Sequence, residues 1–155
     1  MKNLRSNAYW ILSIILLILI ANLNFIAAVF TPSPLVYQGS PFPINKEAGY
    51  VFSPLDSIPV IATRCNTTSD NIVIIAVRVL VNDATGDTQQ YPPSTAIAPP
   101  GCMTYYPLID SVDTVYNKLP AGKYHFRAVS TVVTQFRTFN IPWETESFHY
   151  DPGKK

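Results

Sequence analysis

An all-β fold, one antiparallel β domain behind an N-terminal export segment, follows from three features of the chain. Between residues 58 and 141 the apolar side chains alternate or cluster in short β-branched runs, and no stripe at helical spacing competes with them. The 14 prolines and 6 glycines break the chain into segments too short for long helices but suited to strands and turns. The only two cysteines, Cys65 and Cys102, lie behind an apolar leader that directs them to a compartment where disulfides persist.

The leader opens with Lys2 and Arg5, continues as an apolar run from Tyr9 to Ala21 broken only by Ser13, and closes on the small pair Ala27-Ala28. That order is the order of a secretory signal peptide, so removal of residues 1–28 is expected, leaving one domain over 29–155. An uncleaved anchor is the alternative, because Tyr9 to Phe30 spans 22 residues. Asn22 and Asn24 oppose it: two amides in hydrocarbon are costly unless paired.

Cleavage would leave 127 residues with nine basic and ten acidic side chains, a formal charge of −1. Such a chain has no basic stripe for nucleic acid and no polybasic cluster for an anionic membrane surface. It is long enough to bury roughly two-thirds of its unfolded surface in a single core.

Ile58 to Thr63 reads as the first strand. The polar run Asn66 to Asn71 follows Cys65 as a loop, and within it Asn66-Thr67-Thr68 is the chain's one N-glycosylation sequon, which makes Asn66 a candidate glycan site. Ile72 to Val81 is the strongest strand, apolar on both faces except at Arg78, which is expected to reach toward an edge or loop. The run Asn82 to Asp87 supplies a turn. Tyr91 to Gly101 carries Pro92, Pro93, Pro99 and Pro100 and is expected to be an extended loop anchored by Cys102, with Cys65 and Cys102 joined as a disulfide. Met103 to Leu108 and Val112 to Tyr116 are shorter strand candidates. Lys123 to Val133 alternates, with Tyr124, Phe126, Ala128, Ser130 and Val132 facing the core and His125 facing out. A last strand, Gln135 to Ile141, is expected to end at Pro142, leaving a flexible tail from about residue 143.

Leu119-Pro120-Ala121-Gly122-Lys123-Tyr124-His125-Phe126 resembles the entry to the penultimate strand of immunoglobulin-like and fibronectin-III-like β-sandwiches, where a tyrosine bonds back to the preceding corner. The resemblance implies an immunoglobulin-like β-sandwich with Gly122 permitting the turn and Tyr124 as the corner residue. Phe126 stands where antibody-type domains have their second inter-sheet cysteine, and no tryptophan lies between Cys65 and Phe126, so a Cys65–Cys102 bridge would be a different staple.

Catalytic patterns are sparse. There is no G-x-S-x-G elbow, and His125 and His149 lack close ligand spacing, so neither a metal nor any other cofactor is expected. Asp110 and Asp113 could supply paired carboxylates for glycoside hydrolysis but read more simply as turn residues, as do Asp83 and Asp87. Tyr91, Tyr105, Tyr106, Trp143 and Tyr150 fall outside the best strands and are candidate binding aromatics. The expected function is therefore a secreted, non-catalytic binding or adhesion module at a cell surface or in extracellular matrix, whose loops recognise a protein or a glycan. A membrane-tethered form and a small secreted hydrolase are the alternatives.

Overall fold

The computed structural model describes residues 2–105, 108–109, 119–135 and 137–154, without the side chains of 2–8, 24, 27, 28, 108 and 109. The protein is mostly β, and its contacts divide it into two units, one comprising 1–32 with 134–137, the other 33–133 with 138–155. The first unit is built on a helix, α1 (Lys2–Phe30). Among the described residues no helical stretch is long and apolar enough to cross a membrane.

The described residues of the second unit form twelve strands: β1 (Leu35–Gln38), β2 (Val51–Phe52), β3 (Ile58–Pro59), β4 (Ala62–Asn66), β5 (Ile72–Asn82), β6 (Thr88–Gln90), β7 (Ser94–Ala98), β8 (Gly101–Tyr105), β9 (Leu108–Ile109), β10 (Gly122–Val133), β11 (Thr138–Glu144) and β12 (Phe148–Tyr150). A three-stranded sheet runs β1-β4-β8. A seven-stranded sheet runs β2-β12-β10-β5-β6, with β11 also on β10 and β7 also on β5, and β3 pairs with β9. The long antiparallel pair β5 and β10 forms the centre of the large sheet, in register from Tyr124 opposite Asn82 to Val132 opposite Ile74.

Local chemistry explains where the chain turns. At the end of β5, Asn82 Oδ1 accepts from the Ala84 and Thr85 amides at 2.9 and 3.3 Å, and Gly86 takes φ +75° before its amide donates to the Asn82 carbonyl at 2.8 Å. The turn expected over 82–87 is the observed one. The first expected strand instead splits into β3 and β4. Val60 leaves β3 to bridge with Ile44, and the Ile61 amide donates to the Pro43 carbonyl at 3.0 Å.

Three expectations are corrected. The stretch 91–101 is not wholly loop: Ser94–Ala98 lies free of proline between its two proline pairs and adds to the edge of β5 as β7. The last hairpin strand does not stop at Pro142, which lies within β11 opposite Val129 of β10; among the described strands β11 pairs only with β10, so a missing amide on the other side costs no ladder bond. Nor is the chain flexible from 143. Phe148 and Tyr150 are buried, and β12 is held between β10 and, in parallel, β2. The strand candidate Val112 to Tyr116 lies outside the described residues.

Two clusters form the core. Leu35 on β1 meets Ile74, Ala98 and Val132 of the large sheet, joining the two main sheets. An aromatic-rich cluster gathers Phe42, Phe52, Ile58, Val60, Leu80, Tyr91, Tyr124, Phe126, Phe148 and Tyr150. Phe126 lies 5.7 Å from Tyr91 and 5.6 Å from Phe148 between ring centroids, and each such buried ring contributes roughly 1.5–3 kcal/mol from leaving water. The inward set of β10 is the one its alternation predicts, every member from Tyr124 to Val132 being buried. β5 is central in its sheet, but its outward face is not covered: Val73 is 56% and Ile75 44% exposed.

Candidate functional site

Small residues at core-facing positions make the site. Along β5 the inward face carries Ile74, Ala76, Arg78 and Leu80; β4 contributes Ala62 and Arg64, and β7 contributes Ser94 and Ala96. Protein interiors are close-packed, so alanines where leucine or isoleucine would fill the space leave a hollow. That hollow is a partly open pocket of about 280 Å³, closed by Val60, Phe42, Tyr37, Trp143 and Tyr105.

The two arginines give the pocket its electrostatics. Arg64 donates through Nη2 to the Ile97 carbonyl at 2.9 Å and lays its guanidinium 3.9 Å from the centroid of the Tyr105 ring. Arg78 stands on the inward face of β5, contrary to the expectation that it reaches to an edge or loop. Its parity with Ile72, Ile74 and Leu80 was the sequence signal. Among the described residues, the Nε atoms of Arg64 and Arg78 are both buried without a hydrogen-bond partner. Among the described residues, the carboxylate within ion-pair distance of a cation is that of Asp83, which serves Lys123 and His125 and neither arginine. A guanidinium held in an apolar hollow with an unmet donor is unfavourable unless something anionic or carbonyl-like occupies the space before it.

A polar node fixes the aromatic wall. Ser130, fully buried on β10, lies 2.8 Å from the Tyr37 hydroxyl and accepts from Trp143 Nε1 at 3.0 Å, so β1, β10 and β11 are linked through one oxygen. Burial pushes the Tyr37 phenol above its usual range, against the opposing pull of Ser130 and Arg64. Trp143 packs 5.5 Å from Phe42 and 5.9 Å from Tyr37.

The candidate aromatics therefore separate. Tyr105 and Trp143, half-buried, line one pocket. Tyr91 and Tyr150 are corrected to core residues, because β12 and the segment leading into β7 are pinned to the large sheet and turn these rings inward. Tyr106 lies outside the described residues, as do Asp110 and Asp113.

Cys65 and Cys102 form a disulfide, their Cα atoms 3.9 Å apart. Cys102 sits in β8 directly opposite Cys65 in β4, so the staple joins neighbouring strands of one sheet and not a strand to a loop. Asn66, the sequon residue, is a buried amide at the end of β4. Only 3% exposed, it donates from Nδ2 to the carbonyls of Asp70 and Ala98 at 2.7 and 2.9 Å. Oδ1 accepts from the Thr68 amide and hydroxyl at 2.9 and 2.7 Å, so four hydrogen bonds hold the folded side chain.

At the start of β10 the Tyr124 hydroxyl donates to the Pro120 carbonyl at 2.8 Å and accepts from Asn82 Nδ2 at 3.4 Å, and burial pushes its phenol up. Gly122 serves close approach: a Cβ there would stand 3.3 Å from the Tyr124 ring. His125, half-buried, approaches Asp83 Oδ1 at 2.6 Å through Nδ1, and His149 is exposed on β12. Asp87 accepts from the Thr85 hydroxyl at 2.7 Å within the turn. Among the described residues no group of three or more His, Cys, Asp or Glu is placed to hold a metal ion. No protein-family model matches the chain, and no characterised protein is detectably similar to it in sequence.

Proposed function

We propose that this chain is an exported, non-catalytic binding module on an immunoglobulin-like sandwich, and that recognition takes place in the pocket between its sheets. The observation that carries the reading is the pair of inward arginines, each with a buried and unmet Nε, in a hollow walled by alanines and aromatic rings. A ligand that satisfies those donors and fills that space removes two unfavourable features at once.

The sandwich assignment draws support from strand order. If β6 and β7 count as one interrupted strand, and β11 and β12 as another, the order β1-β4-β8 against β6/β7-β5-β10-β11/β12 follows the A-B-E and C′-C-F-G arrangement of such domains. The Tyr124 to Pro120 bond at the entry to β10 is consistent with a tyrosine corner. Export draws support from the order of Lys2, Arg5, the apolar run and Ala27-Ala28, together with the disulfide.

Expression with the native leader, followed by N-terminal sequencing and native mass spectrometry of the secreted protein, tests the reading. The expected result is a chain beginning at Val29 that carries a small co-purified ligand, lost on substitution of Arg78. Full-length chain kept in the membrane fraction would replace the secreted module by its tethered form. A ligand or partner retained equally by Arg78→Gln would remove the pocket as the recognition site.

A further inference from the structure

Resting on that binding-module reading, we infer that the pocket takes a small amphipathic monocarboxylate, an anionic head on an unbranched or aromatic apolar body of about eight to ten carbons. Arg78 is the anchor for the head.

The head is chosen by charge and by what is already committed. Arg64 spends one nitrogen on the Ile97 carbonyl and one face on Tyr105, whereas among the described residues no side-chain hydrogen bond or ion pair engages the Arg78 guanidinium. A carboxylate matches the guanidinium fork and makes charge-assisted bonds, the strongest kind open to it. Phosphate carries more charge and polar atoms on all sides, which the alanine walls leave unsatisfied. A sugar has the same defect, since its hydroxyls require several polar partners, and apart from the arginines the lining offers the hydroxyls of Tyr37, Ser94 and Tyr105, with that of Tyr37 already bonded to Ser130 and that of Tyr105 to Met103 Sδ.

The body is chosen by size and wall. At about 280 Å³ the pocket is near the lower end for small-molecule sites and roughly twice an apolar cavity that accepts one benzene ring. Ala62, Ala76 and Ile74 offer smooth apolar contact, while Tyr105 and Trp143, each with one polar end, suit the wetter parts of the wall. The unmet donors also predict that the empty protein carries a cost. Replacing Arg78 by an apolar residue of similar length should therefore raise apo stability while removing the ligand's anchor, the usual opposition between a stable core and a binding site.

Titration calorimetry of the full chain with sodium octanoate, 1-octanol and sodium palmitate tests the inference, alongside Arg78→Met and Ala76→Leu, whose folding is checked by urea melts. Octanoate should bind at least about tenfold tighter than octanol, the least expected of a charge-assisted hydrogen bond. Palmitate should bind more weakly than octanoate. Arg78→Met should melt no earlier than wild type, lose octanoate by about tenfold or more, and leave octanol within about threefold. Ala76→Leu should lose both. Octanol binding as tightly as octanoate, with both lost in Ala76→Leu, would overturn the carboxylate head yet leave the pocket a binding site. Octanoate binding untouched by Arg78→Met would overturn the anchor. Failure of all three probes to bind would overturn the ligand class, and a different co-purified ligand lost with Arg78 would then show that the module reading outlives it.

Discussion

Asn66→Ala and Thr68→Ala both destroy the sequon, but they should differ sharply in stability. Asn66 makes four hydrogen bonds from a side chain that is 3% exposed, two of them to the carbonyls of Asp70 and Ala98 on separate segments. A net 0.5–1.5 kcal/mol per bond, discounted because four bonds to one group do not add, puts Asn66→Ala at about 3 kcal/mol. Thr68→Ala loses the hydroxyl's bonds to Asn66 Oδ1 and to the Asp70 carbonyl from a half-buried position, about 1 kcal/mol. Periplasmic expression in a bacterium that adds no N-glycan isolates this structural difference while allowing the disulfide to form. Urea melts followed by tryptophan fluorescence should place Asn66→Ala about 1–3 M below wild type in midpoint. An Asn66→Ala midpoint equal to that of Thr68→Ala would refute the buried-amide assignment, as would a glycan on Asn66 of natively folded protein from a eukaryotic host.

Alkylation of the native, unreduced protein should find no free thiol, and the double variant Cys65→Ala/Cys102→Ala should lose about 4 kcal/mol in the loop-entropy account of a 37-residue separation; thiol labelling without reduction would contradict it. Tyr124→Phe should cost about 0.5–1.5 kcal/mol for the bond to Pro120, and Tyr124→Ala about 3–5 kcal/mol because it also opens a cavity beside Phe148 and Tyr150; equal costs would mean that the hydroxyl, not the ring, dominates. Asp83 gives a pH signature. Burial pushes its carboxyl up, but hydrogen bonds from His125 and Ser147 and the charges of His125 and Lys123 outweigh it, so the folded value is lowered. Its stabilisation is then complete above the unfolded value of about 3.9 and is lost as pH falls through the lower folded one. Asp83→Asn should flatten the acid limb of a stability–pH curve below about pH 4, and an unchanged limb would show that other carboxylates govern it.

The strands that were legible in advance were those whose burial follows from their own spacing. β10 alternates cleanly because one face meets the core, and the turn at 82–87 carries its own hydrogen-bonding side chain. The misread segments depended on distant partners. Ser94–Ala98 is short, small and flanked by prolines, so nothing local marks it as a strand; the free edge of β5 makes it one. Phe148 and Tyr150 are separated by one residue, a two-residue period that a polar neighbourhood concealed until β2 and β10 supplied the sheet around them. Arg78 is half-buried and Asn66 buried, both against the habit of their residue types. A charge or an amide is expected outside, and only the parity of Arg78 with Ile74, or the pairing of Asn66 with Ala98, reverses that expectation. The pocket itself is a deficit of volume, to which Ala62, Ala76 and Ala96 each contribute without any motif to announce it.

The parallel pairing of β2 with β12 joins residues 51–52 to residues 149–150. Contacts of that separation form late, after the loop-closure entropy of nearly the whole domain has been met. While the chain is being made, Phe52 and Phe126 therefore wait with an open flank for Phe148 and Tyr150 to arrive. Until then the rings are available to chaperones, to proteases and to other copies of the same unfinished chain. A fusion or truncation that delays or deletes residues 148–150 acts on the rate of completion before it acts on any site, and its first symptom would be low yield.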